Sequence, residues 1–152
     1  MVGARPALNP AIAGTAYSVL VTSVRVSVDG GEMPADLHLP TGDRGPGIVL
    51  FQEIFGVTDY IDGRARDLAA LGYVVLVPHL YWRQGDPVIS GDDALPRAMD
   101  ALAEVDWDLA VADGVAAVAA LRQRAETTGP TGVFGFCFGG APAFAVATAD
   151  PP

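Results

Sequence analysis

At 152 residues, 51% hydrophobic and 18% charged, the chain has enough apolar material for one domain with a core of its own. Its net charge of −9, with every cationic residue an arginine, offers no basic footprint to nucleic acid or an anionic membrane, and its single cysteine excludes an internal disulfide. No uninterrupted apolar run reaches the ~18–20 residues of a membrane span.

Residues 1–23 read as an N-terminal extension. The stretch is mildly apolar but broken by Asn9, Pro10 and Gly14, and Arg5 is its one charge, a poor match to a signal peptide. A cytoplasmic location is therefore expected. From Val24 to Pro152 the chain reads as one domain. Val24 to Val28 alternates apolar and polar, Asp29 to Gly31 is a turn signal, and Ala35 to Pro40 alternates again, which predicts a β-hairpin with His38 on an edge strand. Thr41 to Gly47 is rich in turn formers and reads as a loop. Gly47 to Phe51 is a continuous apolar run, as a fully buried parallel strand needs. Thr58 or Asp59 can cap a helix through Leu71 that places Ile61, Ala65 and Leu68 on one face, with Gly72 as its stop. Tyr73 to Pro78 is the next buried strand, and Arg83 to Arg97 a polar, turn-rich connection. Trp107, Val111, Val115, Val118 and Leu121 recur at helical spacing; Asp106, Asp108 and Asp113 beside them read as helix capping and a solvated face, with no metal-loop spacing. Gly132 to Phe136 is a third buried strand, and Ala141 to Ala149 begins a third helix. The fold class is α/β: a hairpin followed by βαβαβα, hence a parallel sheet with right-handed crossovers and helices on both faces.

In open α/β sheets ligands bind beyond the carboxyl ends of the strands. There the sequence places Gln52 to Gly56, His79 to Arg83 and Gly135 to Gly140, so a carboxylate, a guanidinium and a thiol share one edge. Gly135-Phe136-Cys137-Phe138-Gly139, between a strand and a helix, has the G-x-C-x-G form of a nucleophile elbow. The helix beginning there favours a thiolate, and Pro142 falls in its first turn, where a missing N–H costs little. The competing reading is a buried cysteine beside a glycine turn. Glu53, flanked by Ile54 and Phe55, is expected to be partly desolvated and suited to exchange a proton with a thiol; the competing reading is a structural ion pair. Arg83 is open to pairing with Glu53, to binding a substrate carboxylate, or to both. His79 lies at the site edge but reads as a hydrogen-bonded bystander, and His38 as structural.

Gln52-Glu53-Ile54-Phe55-Gly56, Leu80 to Pro87 and Gly135 to Gly140, in this order and each after a buried strand, resemble dienelactone hydrolase of the α/β-hydrolase superfamily, from about Val24 to the end of the chain. The resemblance implies that Cys137 opens an enol-lactone or related small ester through a thioester and that Glu53 contacts the thiol and helps form the thiolate. It also implies that Arg83 holds Glu53 or an acidic substrate, and that the N–H groups of Ile54 and Phe138 form the oxyanion hole. It implies neither a metal nor an organic cofactor. His79 departs from the aspartate common in the family at that place. In this superfamily the nucleophile is followed by an acid and then a histidine. After Cys137 the one acid is Asp150 and no histidine follows. The expectation is an α/β-hydrolase fold truncated after its nucleophile strand and the start of the next helix, short of on the order of 90 residues in strand–helix units. Such a chain should be weakly active or inactive alone, and its exposed sheet edge invites self-association. The alternatives are a non-catalytic or partner-completed subunit and a class I glutamine amidotransferase, whose nucleophile also sits in G-x-C-x-G. A dinucleotide site is disfavoured, because the first βα turn lacks G-x-G-x-x-G.

Overall fold

The structure, a computed structural model, describes residues 19–149, so most of the expected N-terminal extension lies outside the described residues. The elements are β1 (Leu20–Val28), β2 (Gly31–Leu39), β3 (Gly45–Phe51), α1 (Asp59–Ala70), β4 (Val74–Pro78), α2 (Ala94–Ala103), α3 (Trp107–Arg122), β5 (Thr127–Gly135) and α4 (Gly140–Ala149), with single 3₁₀ turns at Trp82–Gln84 and Cys137–Gly139. The sheet has the order β1-β2-β4-β3-β5. Strands β4, β3 and β5 run parallel, and the β1–β2 hairpin joins them by laying β2 antiparallel to β4.

That junction corrects the expectation that His38 lies on an edge strand. β2 is flanked on both sides, and Leu37, His38 and Leu39 are all buried. Burial lowers the pKa of His38, against the pull of Asp62, whose carboxylate is 3.7 Å from Nε2.

The apolar runs of the central strands split between two layers because successive side chains point to opposite faces. Leu50, Val75 and Val77 meet Ile61, Ala65 and Ala69 of α1 on one face. Val49, Phe51, Val74 and Leu76 meet Ala117, Val118 and Leu121 of α3 and Ala143 and Val146 of α4 on the other. Each fully buried Leu, Val, Ile or Phe contributes roughly 1.5–3 kcal/mol, so the two layers together fix which strand ends lie side by side. The buried face of α3 differs from the expected one: Ala110, Asp113, Gly114 and Ala117 join Val118 and Leu121, while Trp107 is 42% exposed. Small residues let this helix approach the sheet closely; a Cβ on Gly114 would come within 2.6 Å of Val146 and 3.1 Å of Phe51.

Two further differences concern extent. β5 begins at Thr127 rather than Gly132, because Gly129 and Pro130 are carried within an irregular register against β3. A proline is tolerated there because β5 is the last strand of the sheet among the described residues. The connection Arg83 to Arg97 is shorter than expected, since α2 starts at Ala94; Pro96 lies in its first turn, where a helix needs no N–H.

Candidate active site

The carboxyl ends of β3, β4 and β5 are neighbours, and the loops that leave them interlock. The elbow is the most constrained of the three. Cys137 has φ of +51°, a left-handed conformation that costs a residue with a side chain roughly 1–2 kcal/mol, and its side chain is exposed. Both flanking glycines are required sterically. A Cβ on Gly135 would lie 2.1 Å from the carbonyl oxygen of Gly139, and one on Gly139 would lie 2.5 Å from that of Gln52 and 2.6 Å from that of Phe51. The elbow therefore closes on itself through the Gly139 N–H, which donates to the Phe136 carbonyl at 2.8 Å, and sits directly on the end of β3. α4 follows at once, with Pro142 buried in its first turn, as expected. The reading of Cys137 as a buried structural thiol does not fit an exposed side chain.

Glu53, half-buried, opens the loop after β3 in a turn closed by the Gly56 N–H donating to its carbonyl at 3.3 Å. The side chains of Ile54 and Phe138 belong to one apolar cluster with Ile89 and Ala98 of α2. The two residues expected to form the oxyanion hole thus come from different loops and meet in the same packing unit. Gln52, which sequence reasoning passed over, is fully buried, and its side-chain carbonyl accepts the Leu80 N–H at 2.9 Å, tying the β3 end to the loop after β4.

In that third loop, Tyr81 is completely buried; its hydroxyl donates to the Ile54 carbonyl at 3.0 Å and its ring stacks on Phe138. Arg83 turns elsewhere. Its guanidinium forms a two-pronged pair with Asp113 of α3, donates to the Asp29 carbonyl at 2.7 Å, and lies over the Trp82 ring at 4.4 Å. Trp82 Nε1 also donates to Asp113, at 3.0 Å. Arg83 is paired with Asp113 rather than with Glu53, one of the partners the sequence left open, and the solvated reading of Asp113 is corrected, since it is 1% exposed. A buried carboxylate must be paired, and a planar fork satisfies both its oxygens. The signal for Asp113 was present: it stands between Ala110 and Ala117 on the face of α3 that meets the sheet. Asp106 does cap α3, accepting the Leu109 N–H at 3.1 Å.

His79 lies between two carboxylates, with Nδ1 2.5 Å from Asp86 and Nε2 3.1 Å from Asp36. Burial works to lower its pKa, but the hydrogen bonds and attraction of Asp36 and Asp86 outweigh it and carry it up to about 9. The same contact, from the other side, holds Asp36 below the usual carboxylate range. His79 is hydrogen-bonded, as expected, with both ring nitrogens occupied. No cluster of three or more His, Cys, Asp or Glu side chains suited to a metal occurs among the described residues, and no helix among them is long and apolar enough to cross a membrane.

Residues 33–152 match the sequence profile of the Dienelactone hydrolase family. The chain belongs to that family. It is 37% identical over 125 residues to Carboxymethylenebutenolidase 1 of Cupriavidus pinatubonensis, an alignment covering 80% of this chain and 53% of the relative. It is 39% identical over 121 residues to the carboxymethylenebutenolidase of a Pseudomonas species, covering 78% of this chain and 51% of that protein. A crystal structure described as "Putative Dienelactone Hydrolase from Klebsiella pneumoniae" superposes with a TM-score of 0.76 at 28% identity, over 88% of this chain and 56% of that one. A dienelactone hydrolase-like promiscuous phosphotriesterase from metagenomic libraries superposes with a TM-score of 0.71 at 27% identity, over 88% and 56% of the two chains. The chain therefore spans about half the length of these family members. Its mixed sheet with helices on both faces is the α/β-hydrolase arrangement expected of the family.

Proposed function

We propose that this chain carries the nucleophile of a hydrolase that opens an enol-lactone or related small carboxylic ester through a thioester on Cys137. The observation that carries the reading is the elbow: an exposed thiol held at φ of +51° between two glycines that no larger residue can replace. Strain of this kind persists where the surrounding structure over-determines it, and here it accompanies an exposed thiol. Family membership favours this chemistry over the amidotransferase alternative.

In the proposed reaction Glu53 accepts the thiol proton as substrate binds, and Sγ attacks the ester carbonyl carbon. Negative charge develops on the carbonyl oxygen, where the N–H groups of Ile54 and Phe138 stabilise it. Collapse breaks the bond to the ester oxygen, which leaves as an enolate and takes up a proton. Water then attacks the thioester, releasing the carboxylic acid and regenerating the thiol. Arg83 reaches a substrate carboxylate only by sharing its guanidinium with Asp113, so its first role is to hold the Trp82–Gln84 turn against α3. Neither histidine of the chain suits the base of the second step. His38 is enclosed in β2, and His79 stays protonated between its carboxylates. Acylation of this 152-residue chain should therefore outrun deacylation.

The test is intact mass during exposure to a dienelactone or an activated acetate ester. One acyl group per chain, located on Cys137 and missing from Cys137→Ala, is the expected result. An unmodified wild-type chain, or equal labelling of the variant, would overturn the reading.

A further inference from the structure

The geometry points to Tyr81 as a positioning residue that sets the spacing of the two loops supplying the oxyanion-hole N–H groups; this rests on the thioester reading above. Tyr81 touches both loops at once. Its hydroxyl donates to the carbonyl of Ile54, and the face of its ring stacks on Phe138 with centroids 6.2 Å apart and planes 22° from parallel. Ile54 occupies the turn between Glu53 and Gly56, and Phe138 is the middle residue of the 3₁₀ turn that begins at Cys137. Gly139 seats the elbow on the end of β3, and Tyr81 adds a contact that spans from the Ile54 turn to Phe138.

Tyr81 is suited to hold that span because it is itself held on several sides. Its side chain is fully buried, and its carbonyl accepts N–H groups from Gln84 at 2.9 Å and Asp86 at 3.0 Å. The preceding Leu80 N–H is anchored to Gln52 at 2.9 Å, and that of His79 to the Pro34 carbonyl at 3.0 Å. The loop after β4 is thus rigidly joined to both β2 and β3 and presents the phenol as a fixed post. Burial, with the nearby Cys137 adding to it, pushes the phenol up to about 12, so it stays protonated and remains a donor to Ile54. An oxyanion hole acts through donors placed for the transition state, and small displacements of such donors are costly in rate. Losing the hydroxyl frees the Ile54 end of this spacer while leaving the ring on Phe138.

The experiment compares the wild-type chain with Tyr81→Phe in two reactions of the same thiol. Acylation by p-nitrophenyl acetate passes through an oxyanion, whereas alkylation by iodoacetamide reads only thiolate and access. The expected result is acylation slowed about tenfold or more, with alkylation unchanged within about twofold and the far-ultraviolet circular dichroism retained. Equal acylation by the two chains would overturn the assignment, as would a parallel fall in both reactions, which a purely structural role gives. A wild-type chain that alkylates but never acylates would instead sink the thioester reading beneath it.

Discussion

At the scale of single residues the site is governed by what cannot be substituted. Gly139→Ala puts a Cβ into the carbonyls of Phe51 and Gln52, backbone atoms that cannot swing aside. It should cost about 2–3 kcal/mol, as overpacking a rigid site does. Gly132→Ala, with nothing within 4 Å of its Cβ, should change stability by no more than about 0.5 kcal/mol. Urea midpoints of the two variants check the contrast. The strain at Cys137 gives a second expectation. Cys137→Gly should be about 1 kcal/mol more stable than Cys137→Ala, since alanine keeps the Cβ that a φ of +51° penalises. Equal stabilities would mean that the elbow is not strained. These residues were legible in the sequence because glycine on either side of Cys137 is a local requirement of a tight strand-to-helix turn. The partner of Arg83 was not legible: Asp113 is thirty residues away, and only the packing of α3 against the loop after β4 brings them together.

Between elements, charged pairs hold the site loops in place. Arg83→Met leaves the buried Asp113 carboxylate with Trp82 as its remaining partner among those described, which should cost about 3 kcal/mol. Changing Asp113→Leu in the same chain should recover part of that loss, since the uncompensated buried charge is gone; a double variant no more stable than Arg83→Met would refute this account. His79 gives a pH signature. Its folded pKa of about 9 stands above the ordinary 6.5, so its stabilisation is complete below about pH 6.5 and is lost as the pH rises through 9. Unfolding free energy should fall by roughly 3 kcal/mol across that window, and His79→Gln should flatten the fall. His38 acts with the opposite sign: its lowered pKa makes stability decline as the pH drops below 6.5, and the His79→Gln variant should keep that limb. At this scale the strands and the two long helices were readable from periodicity. α2 was not, because Pro96, Gly91 and the paired aspartates Asp92 and Asp93 carry loop signals, and its packing on Ile54, Ile89 and Phe138 is tertiary.

At the scale of the whole sheet, β5, which leads into the Cys137 elbow, is the last strand among the described residues. Phe134 is 47% exposed on it and Phe144 75% exposed on the adjoining α4. An unpaired strand edge beside exposed aromatic surface favours association. The 152-residue chain should therefore show a mass in light scattering that rises with concentration, and Phe144→Glu should reduce it. A monomer at all concentrations would show that this edge is not adhesive.

The sequence by itself determined the order of the strands and of the helices other than α2, the burial of the central strands and the place of the G-x-C-x-G elbow between a strand and a helix, because each follows from spacing along the chain. It also carried the three motifs of the family, which lie in loops that follow buried strands. Only the tertiary structure decided that β2 is interior, that Asp113 is buried and answers Arg83, that His79 is held charged between Asp36 and Asp86, and that Tyr81 touches both loops at the thiol. The physical reason is common to all four. A hydrogen bond or ion pair between residues tens of positions apart leaves no periodic trace, and comes into being only when hydrophobic layers have fixed which strand ends are neighbours.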